Sequence, residues 1–140
     1  MKNILSNIIY FISLFLIVAF SSCEEASVDL DKELTIQQKV ALLESNEWLP
    51  KGLEENVMHT FSNGKQFTFY GENNVFSDSA ILGTEDYIID GDSLTFDFHF
   101  GHVYTYEIVV SCNQKIIDFF RDGELNKTLY KRNSNYLECL

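Results

Sequence analysis

The sequence has little of what several protein classes require. The chain of 140 residues has ten basic and 21 acidic residues, which gives a net charge of −11. A chain so poor in positive charge cannot neutralise a run of phosphates, which excludes nucleic acid as a partner, and it cannot dock on anionic lipid by electrostatics. Aromatic residues make up 14 % of the chain, which excludes a disordered protein.

Motifs that carry catalysis are also missing. The chain has no G-x-S-x-G, no H-E-x-x-H and no phosphate-binding glycine loop. Carboxylates are numerous, but no spacing among them indicates a catalytic pair rather than a solvated acidic surface. The sequence therefore predicts a protein that is not an enzyme and needs no cofactor.

One long apolar run is present, from Ile8 to Phe20. It is shorter than the roughly 20 residues that a membrane-spanning helix needs. Lys2 precedes it, and the small residues Ser21 and Ser22 follow it. This pattern is typical of a secretory signal peptide over residues 1–22. A retained signal anchor is the alternative, but no further apolar stretch or basic stop-transfer flank follows.

The segment Phe20-Ser21-Ser22-Cys23 resembles a bacterial lipobox. The resemblance implies cleavage before Cys23 and attachment of fatty acyl chains such as palmitate, which would make Cys23 the lipid anchor of an outer membrane lipoprotein of the cell envelope. More than one acyl chain is needed for stable anchoring. Glu24 and Glu25 resemble an acidic surface-export signal, so the protein would face either the periplasm or the cell exterior. We interpret the acidic segment 23–33 as a tether.

Residues 34–140 show first a helical and then a strand period. Thr35 and Gln38 match a capping box, which predicts a helix over residues 36–45. From Trp48 onward apolar residues alternate, and turn dipeptides such as Asn63-Gly64 separate the runs. The pattern predicts a mainly β domain, an antiparallel meander of seven or eight strands that closes into a small β-barrel. Trp48 is expected to plug one end of it.

The same domain resembles the small lipocalin-like lipoproteins of the Bacteroidota. The resemblance rests on the helix followed by Trp48, the hairpin at residues 61–64, the segment 87–94 and the closing segment 128–132. Asn46 stands where lipocalins have a glycine two residues before the tryptophan, and Pro50 interrupts the first strand. The resemblance implies a membrane-anchored binding module whose partner is a small apolar ligand. A structural or protein-interaction role, with an envelope protein as partner and a solid-core barrel, is the alternative.

The aromatic strand residues are the candidate ligand lining. If the barrel is open, an aromatic mouth would capture the ligand. The same rings are equally what a solid core requires, and both readings stay open at this point. The candidate lining residues are Phe67, Phe69, Phe96, Phe98, Tyr104 and Tyr106.

The three histidines are possible metal ligands, and the two remaining cysteines are a possible disulfide pair. His99, His102 and His59 do not have a spacing that forces them to converge, so no metal site is predicted. Cys112 lies in the turn before the strand over residues 115–121, and the strand over residues 125–132 returns to that same end. Cys139 follows it closely, so we predict a disulfide between Cys112 and Cys139, with two free thiols as the alternative.

Overall fold

The computed structural model describes residues 33–140. The predicted signal peptide over residues 1–22, the lipid anchor Cys23 and the tether up to residue 32 lie outside the described residues. Within the described part, no helix has both the length and the apolar character that crossing a membrane requires.

The described chain contains one α-helix, nine β-strands and a terminal turn of 3₁₀ helix. Helix α1 spans Ile36–Glu44 and the 3₁₀ helix spans Tyr136–Cys139. The strands are β1 Trp48–Pro50, β2 Val57–Ser62, β3 Lys65–Glu72, β4 Val75–Phe76, β5 Glu85–Asp90, β6 Ser93–Asp97, β7 Val103–Ser111, β8 Ile116–Arg121 and β9 Glu124–Lys131.

Eight of these strands form a closed antiparallel barrel. The sheet runs in the order β2-β1-β9-β8-β7-β6-β5-β3, and the pairing of β2 with β3 closes it. Strand β4 is an additional two-residue strand paired with the end of β3. The fold class predicted from the sequence, a mainly β meander closing into a small barrel after one short helix, is confirmed. Closure leaves the eight barrel strands without a free edge.

Local sequence explains where the helix and the tight turns form. The Thr35 side chain accepts from the backbone N–H of Gln38, and the Gln38 side chain accepts from that of Thr35, which completes the predicted capping box. Asn63 and Gly64, between β2 and β3, have φ values of 51° and 73°. Two residues with positive φ match the right-handed twist of a hairpin, which is why such a dipeptide lies there.

Helix α1 closes one end of the barrel, and a solid core fills the space beneath it. Trp48 is fully buried and donates its indole N–H to the carbonyl of Leu43 over 3.0 Å. Fully or almost fully buried rings and aliphatic side chains from seven strands continue the packing. The core includes Leu43, Trp48, Phe61, Tyr87, Leu94, Phe96, Tyr106, Ile108, Ile117, Phe119 and Leu129.

A second hydrophobic cluster lies on the outer face of the barrel. Its buried members are Leu49, Met58, Ile116 and Tyr130, and Tyr136 of the terminal 3₁₀ helix stacks on Tyr130 with ring centroids 4.4 Å apart. Strands β1, β2, β8 and β9 therefore bury apolar residues on both faces, whereas a barrel with a solvated exterior would bury only one.

Alternation of apolar residues in the sequence continues from Leu94 to Phe100, but the strand is shorter than this pattern. Strand β6 ends at Asp97, and Phe100 is fully exposed in the following turn. The Asp97 carboxylate accepts from the backbone N–H of His99 over 2.7 Å, and His99 and Phe100 both have positive φ. The chain reverses there, so the alternation of the strand does not reach Phe100.

Candidate ligand-binding site

The end of the barrel opposite helix α1 carries an open cleft of about 810 Å³. Pro50 at the end of β1, Val57 at the start of β2 and Tyr70 near the end of β3 belong to its wall. In an antiparallel barrel these positions all lie at the end away from the α1–β1 connection. Further lining residues come from the loops at that end and from β9, among them Leu53, Ile81, Glu85, Leu125 and Lys127.

None of the six aromatic residues named as candidate lining belongs to this cleft. Phe96 and Tyr106 are buried in the core of the barrel, and Phe98 and Tyr104 pack against that core. Four of the six rings therefore fill the barrel rather than line a mouth.

Phe67 and Phe69 lie on the opposite face of β3 from the cleft. Phe69 packs against the outer cluster beside Met58, and Phe67 shares its face. The alternate residues Gln66, Thr68 and Tyr70 line the cleft instead. Phe67 and Phe69 therefore do not line this cleft, and Phe69 packs with the outer cluster instead.

The floor of the cleft is a short chain of polar side chains. Lys127 Nζ donates to Gln66 Oε1 over 3.3 Å, and Gln66 Nε2 donates to Glu85 Oε2 over 3.3 Å. Gln66 and Glu85 are directly opposite each other on β3 and β5, so the sheet register holds the amide against the carboxylate. Gln66 is 3 % exposed, so this arrangement is part of the barrel interior.

Lys127 reaches from β9 over the aromatic core. Its Nζ lies 4.9 Å from the ring centroid of Phe119 and 5.7 Å from that of Phe96, within the range of cation–π contacts. Burial lowers the pKa of the Lys127 ammonium to about 8, and the nearby carboxylate of Glu85 partly offsets this effect. The amine is still mainly protonated at pH 7.

A neutral imidazole completes the polar wall of the cleft. His59 Nδ1 and Thr68 Oγ1 are 3.0 Å apart, on directly opposite residues of β2 and β3. Burial is the main cause that lowers the pKa of His59 to about 3, and the charge of Lys127 lowers it further. His59 therefore adds hydrogen-bonding capacity at neutral pH but no charge.

The rim of the cleft is apolar and exposed. Leu53, Tyr70 and Leu125 are each more than half exposed, and Ile81 is 39 % exposed. They come from the β1–β2 loop, the end of β3, the start of β9 and the segment before β5. An apolar rim above a polar floor can take a molecule that has one apolar and one polar end.

The sequence carries a weak signal for this site. Gln66 and Thr68 alternate with Phe67 and Phe69, so one face of β3 carries polar residues at its centre. Lys127 is two residues from Leu129, which places the lysine on the same face of β9 as a core residue. Nothing local to β3 indicates which of its faces turns inward.

The other histidines take part in structural hydrogen bonds. His99 Nε2 lies 2.7 Å from the carbonyl of Thr84, and His102 Nδ1 lies 3.2 Å from the hydroxyl of Tyr104. Among residues 33–140 no three histidine, cysteine, aspartate or glutamate side chains are arranged as a metal site.

Cys112 and Cys139, the pair expected from the order of the hairpins, form a disulfide in the structure, with Cα atoms 6.0 Å apart. The bond connects the β7–β8 turn to the terminal 3₁₀ helix. It lies at the helix α1 end of the barrel, away from the cleft, and is a structural link rather than part of the candidate site.

No protein-family model, curated protein or solved structure matches the chain.

Proposed function

We propose that this protein is a non-enzymatic binding module that takes a small ligand, largely apolar, into the cleft at the open end of its barrel. The observation that carries the proposal is a cleft of about 810 Å³ with a polar floor and an exposed apolar rim. Ligand sites in proteins have volumes of roughly 300–1,000 Å³ and combine apolar walls with a few placed polar groups.

The division of the barrel supports this proposal. Helix α1 closes one end, and the aromatic core fills the interior on the side of β5 to β8, so that part provides rigidity and no space. The cleft is confined to the other end, between β1, β2, β3 and β9. Exposed aliphatic and aromatic side chains at its entrance would lose contact with water when an apolar ligand binds, which favours binding.

We further propose that the module is held at the cell envelope by acyl chains on Cys23, after removal of residues 1–22. The lipobox-like segment 20–23 supports this part of the proposal. The resemblance to small lipocalin-like lipoproteins of the Bacteroidota is compatible with both parts, since such a protein would hold its cleft beside the outer membrane, facing the periplasm or the exterior.

A binding assay with a matched pair of variants tests the ligand function. The protein is titrated into 1-anilinonaphthalene-8-sulfonate, which fluoresces on entering apolar sites, and native mass spectrometry identifies co-purified molecules. Leu125→Glu places a charge on the cleft rim, whereas Ile88→Glu makes the same change at an exposed position of β5 outside the cleft.

We expect Leu125→Glu to weaken probe binding about tenfold and Ile88→Glu to leave it unchanged, because a carboxylate at the entrance opposes both the apolar contact and the anionic probe. Equal binding by both variants and the unchanged protein, with no co-purified molecule, would overturn the ligand function.

A protein-interaction role is the second candidate, and one observation favours it. Leu82 and Phe100 are fully exposed in loops at the same open end of the barrel. Exposed apolar residues gathered at one end are typical of contact surfaces. Replacement of both by serine would abolish capture of an envelope protein in a cross-linking experiment if this role is correct, and would leave binding of a small ligand intact.

A further inference from the structure

We propose that the ligand of this cleft carries a single negative charge, a carboxylate at the end of an apolar chain or ring, and that Lys127 binds this carboxylate at the cleft floor. This inference rests on the proposed ligand-binding function and names the chemical class of the ligand.

Within the described residues, Lys127 has no direct counter-ion. The described residues 33–140 contain four ion pairs, and Lys127 belongs to none of them. An ammonium group has three N–H donors, and the only hydrogen bond that Lys127 Nζ makes within the same residues is to Gln66 Oε1. The ammonium group is partly withdrawn from water at the cleft floor and has no charged hydrogen-bond partner there among the described residues, so an incoming anion would improve its compensation.

The surroundings of the Lys127 ammonium group leave it open only toward the cleft. The rings of Phe119 and Phe96 lie on its inner side, and both are almost fully buried. Because the core blocks that side and Gln66 occupies one direction, the remaining donors are available only from the cleft. A low local dielectric strengthens a charge-assisted hydrogen bond made there.

The charges around the cleft floor limit the negative charge of the ligand to one. Glu85 is linked to Lys127 through Gln66, so a carboxylate already lies near the floor. His59 is neutral near pH 7 and adds no positive charge. A dianionic phosphate monoester would meet one cation and a nearby negative charge, whereas a carboxylate is matched by Lys127 alone.

The apolar rim of the cleft determines where the rest of the ligand lies. Leu53, Ile81 and Leu125 surround the entrance above Lys127 and are exposed. A carboxylate bound at the floor would direct its apolar part toward these side chains. The cleft therefore matches an amphipathic carboxylate better than a neutral hydrocarbon or a fully polar metabolite.

The test compares probes of one chain length and three head groups. Dodecanoate, 1-dodecanol and monododecyl phosphate are titrated by calorimetry into the purified full chain at pH 7. The same titrations use Lys127→Met, which keeps the apolar stem, and Lys131→Met, the same change on the same strand outside the cleft. Circular dichroism verifies that each variant is folded.

We expect the unchanged protein and Lys131→Met to bind dodecanoate at least about tenfold more tightly than the other two probes, as one charge-assisted hydrogen bond warrants. Lys127→Met should lose this preference and bind dodecanoate about as weakly as dodecanol. Equal affinity for dodecanoate and dodecanol, unaffected by Lys127→Met, would overturn the carboxylate assignment and leave the ligand-binding function standing. Tightest binding of the phosphate would overturn it too, and no binding of any probe would overturn both proposals.

A second measurement uses only the unchanged protein, so it tests the proposal even if Lys127→Met does not fold. Between pH 7 and pH 9 the unchanged protein should lose about tenfold in affinity for dodecanoate as Lys127 loses its proton, while dodecanol binding stays constant. The other titratable groups near Lys127 are Glu85, His59 and Tyr106. His59 stays neutral in this range, and burial raises the pKa of Tyr106, which packs on the same two rings. Constant affinity for dodecanoate across this range would contradict the proposal.

Discussion

The indole N–H of Trp48 donates a hydrogen bond to the backbone carbonyl of Leu43 across 3.0 Å, and both residues are fully buried. This bond joins the last turn of helix α1 to the first strand of the barrel. It uses a helix carbonyl that has no partner within the helix, and it places the largest side chain of the core directly beneath the helix. This pair, five positions apart in sequence, is one of the links that join helix α1 to the barrel, beside the hydrogen bond from Lys39 Nζ to the carbonyl of Ile108.

Trp48→Phe is expected to lower the free energy of unfolding by about 2 kcal/mol. The substitution keeps an aromatic ring but leaves a small cavity and removes the partner of the Leu43 carbonyl. Chemical denaturation followed by far-UV circular dichroism measures the change, since the variant has no tryptophan to report by fluorescence. A loss below about 0.5 kcal/mol would mean that the bond contributes nothing that solvent cannot replace.

Loss of the disulfide should destabilise the protein as a whole. Cys112 and Cys139 are 27 residues apart in sequence, and closing a loop of that size reduces the entropy of the unfolded chain. Cys139→Ser is expected to lower the free energy of unfolding by about 3–4 kcal/mol. The unchanged protein under reducing conditions is the matched control and should unfold at the same denaturant concentration as the variant; a difference would show that the serine itself disturbs the packing.

The parts of the fold that could be predicted from the sequence are those that local chemistry determines. The capping box at Thr35 determines where helix α1 begins, and Asn63-Gly64 and Asp122-Gly123 supply the positive φ values of two hairpins. Because consecutive strands joined by short turns pair with each other, these signals also determine most of the strand order.

The orientation of the strand faces could not be predicted from the same signals. Alternation in β3 separates Phe67 and Phe69 from Gln66 and Thr68, but an apolar face can turn toward the core or toward a covered exterior. The outer cluster around Met58 and Tyr130 is completed by Tyr136 of the chain's last segment, which contacts the barrel only in three dimensions. For the same reason Lys127, Gln66 and Glu85, which lie on three different strands, could not be recognised as one site.

The buried position of Lys127 should give the ligand-free protein a stability that rises with pH. Burial lowers the pKa of this amine to about 8 in the folded state, against about 10.4 in the unfolded chain. Between these values the unfolded chain binds the proton and the folded protein does not, so the free energy of unfolding increases with pH by up to about 1.4 kcal/mol per unit.

Urea denaturation of the unchanged protein and of Lys127→Met at pH 7, 8, 9 and 9.5 measures this effect. Tyrosines of the unfolded chain begin to ionise toward the upper limit, but both proteins have the same tyrosines, so this contribution cancels in their difference. The difference in stability between the two proteins should shift toward the unchanged protein as pH rises. A difference that stays constant would show that the amine reaches bulk water in the folded state.

Acid should destabilise the protein through His59 before most carboxylates titrate. Burial and the charge of Lys127 lower the pKa of His59 to about 3, whereas an exposed histidine has a pKa near 6.5. Between pH 6.5 and pH 3, His59 therefore binds a proton in the unfolded chain but not in the folded protein. The free energy of unfolding falls as the pH falls. The expected slope from this residue is about 1.4 kcal/mol per pH unit.

His59→Gln isolates this contribution, because glutamine keeps a hydrogen-bonding group near Thr68 Oγ1 and does not titrate. Stability is measured by urea denaturation at pH 7 and pH 4.5, where the shared carboxylates affect both proteins alike. The unchanged protein should lose about 2–3 kcal/mol more than His59→Gln over this interval. His102→Gln, at an exposed histidine of the β6–β7 turn, is the matched control and should follow the unchanged protein. An equal acid response in all three proteins would mean that the His59 imidazole takes up its proton in the folded barrel, which would make the cleft wall positively charged at mildly acidic pH.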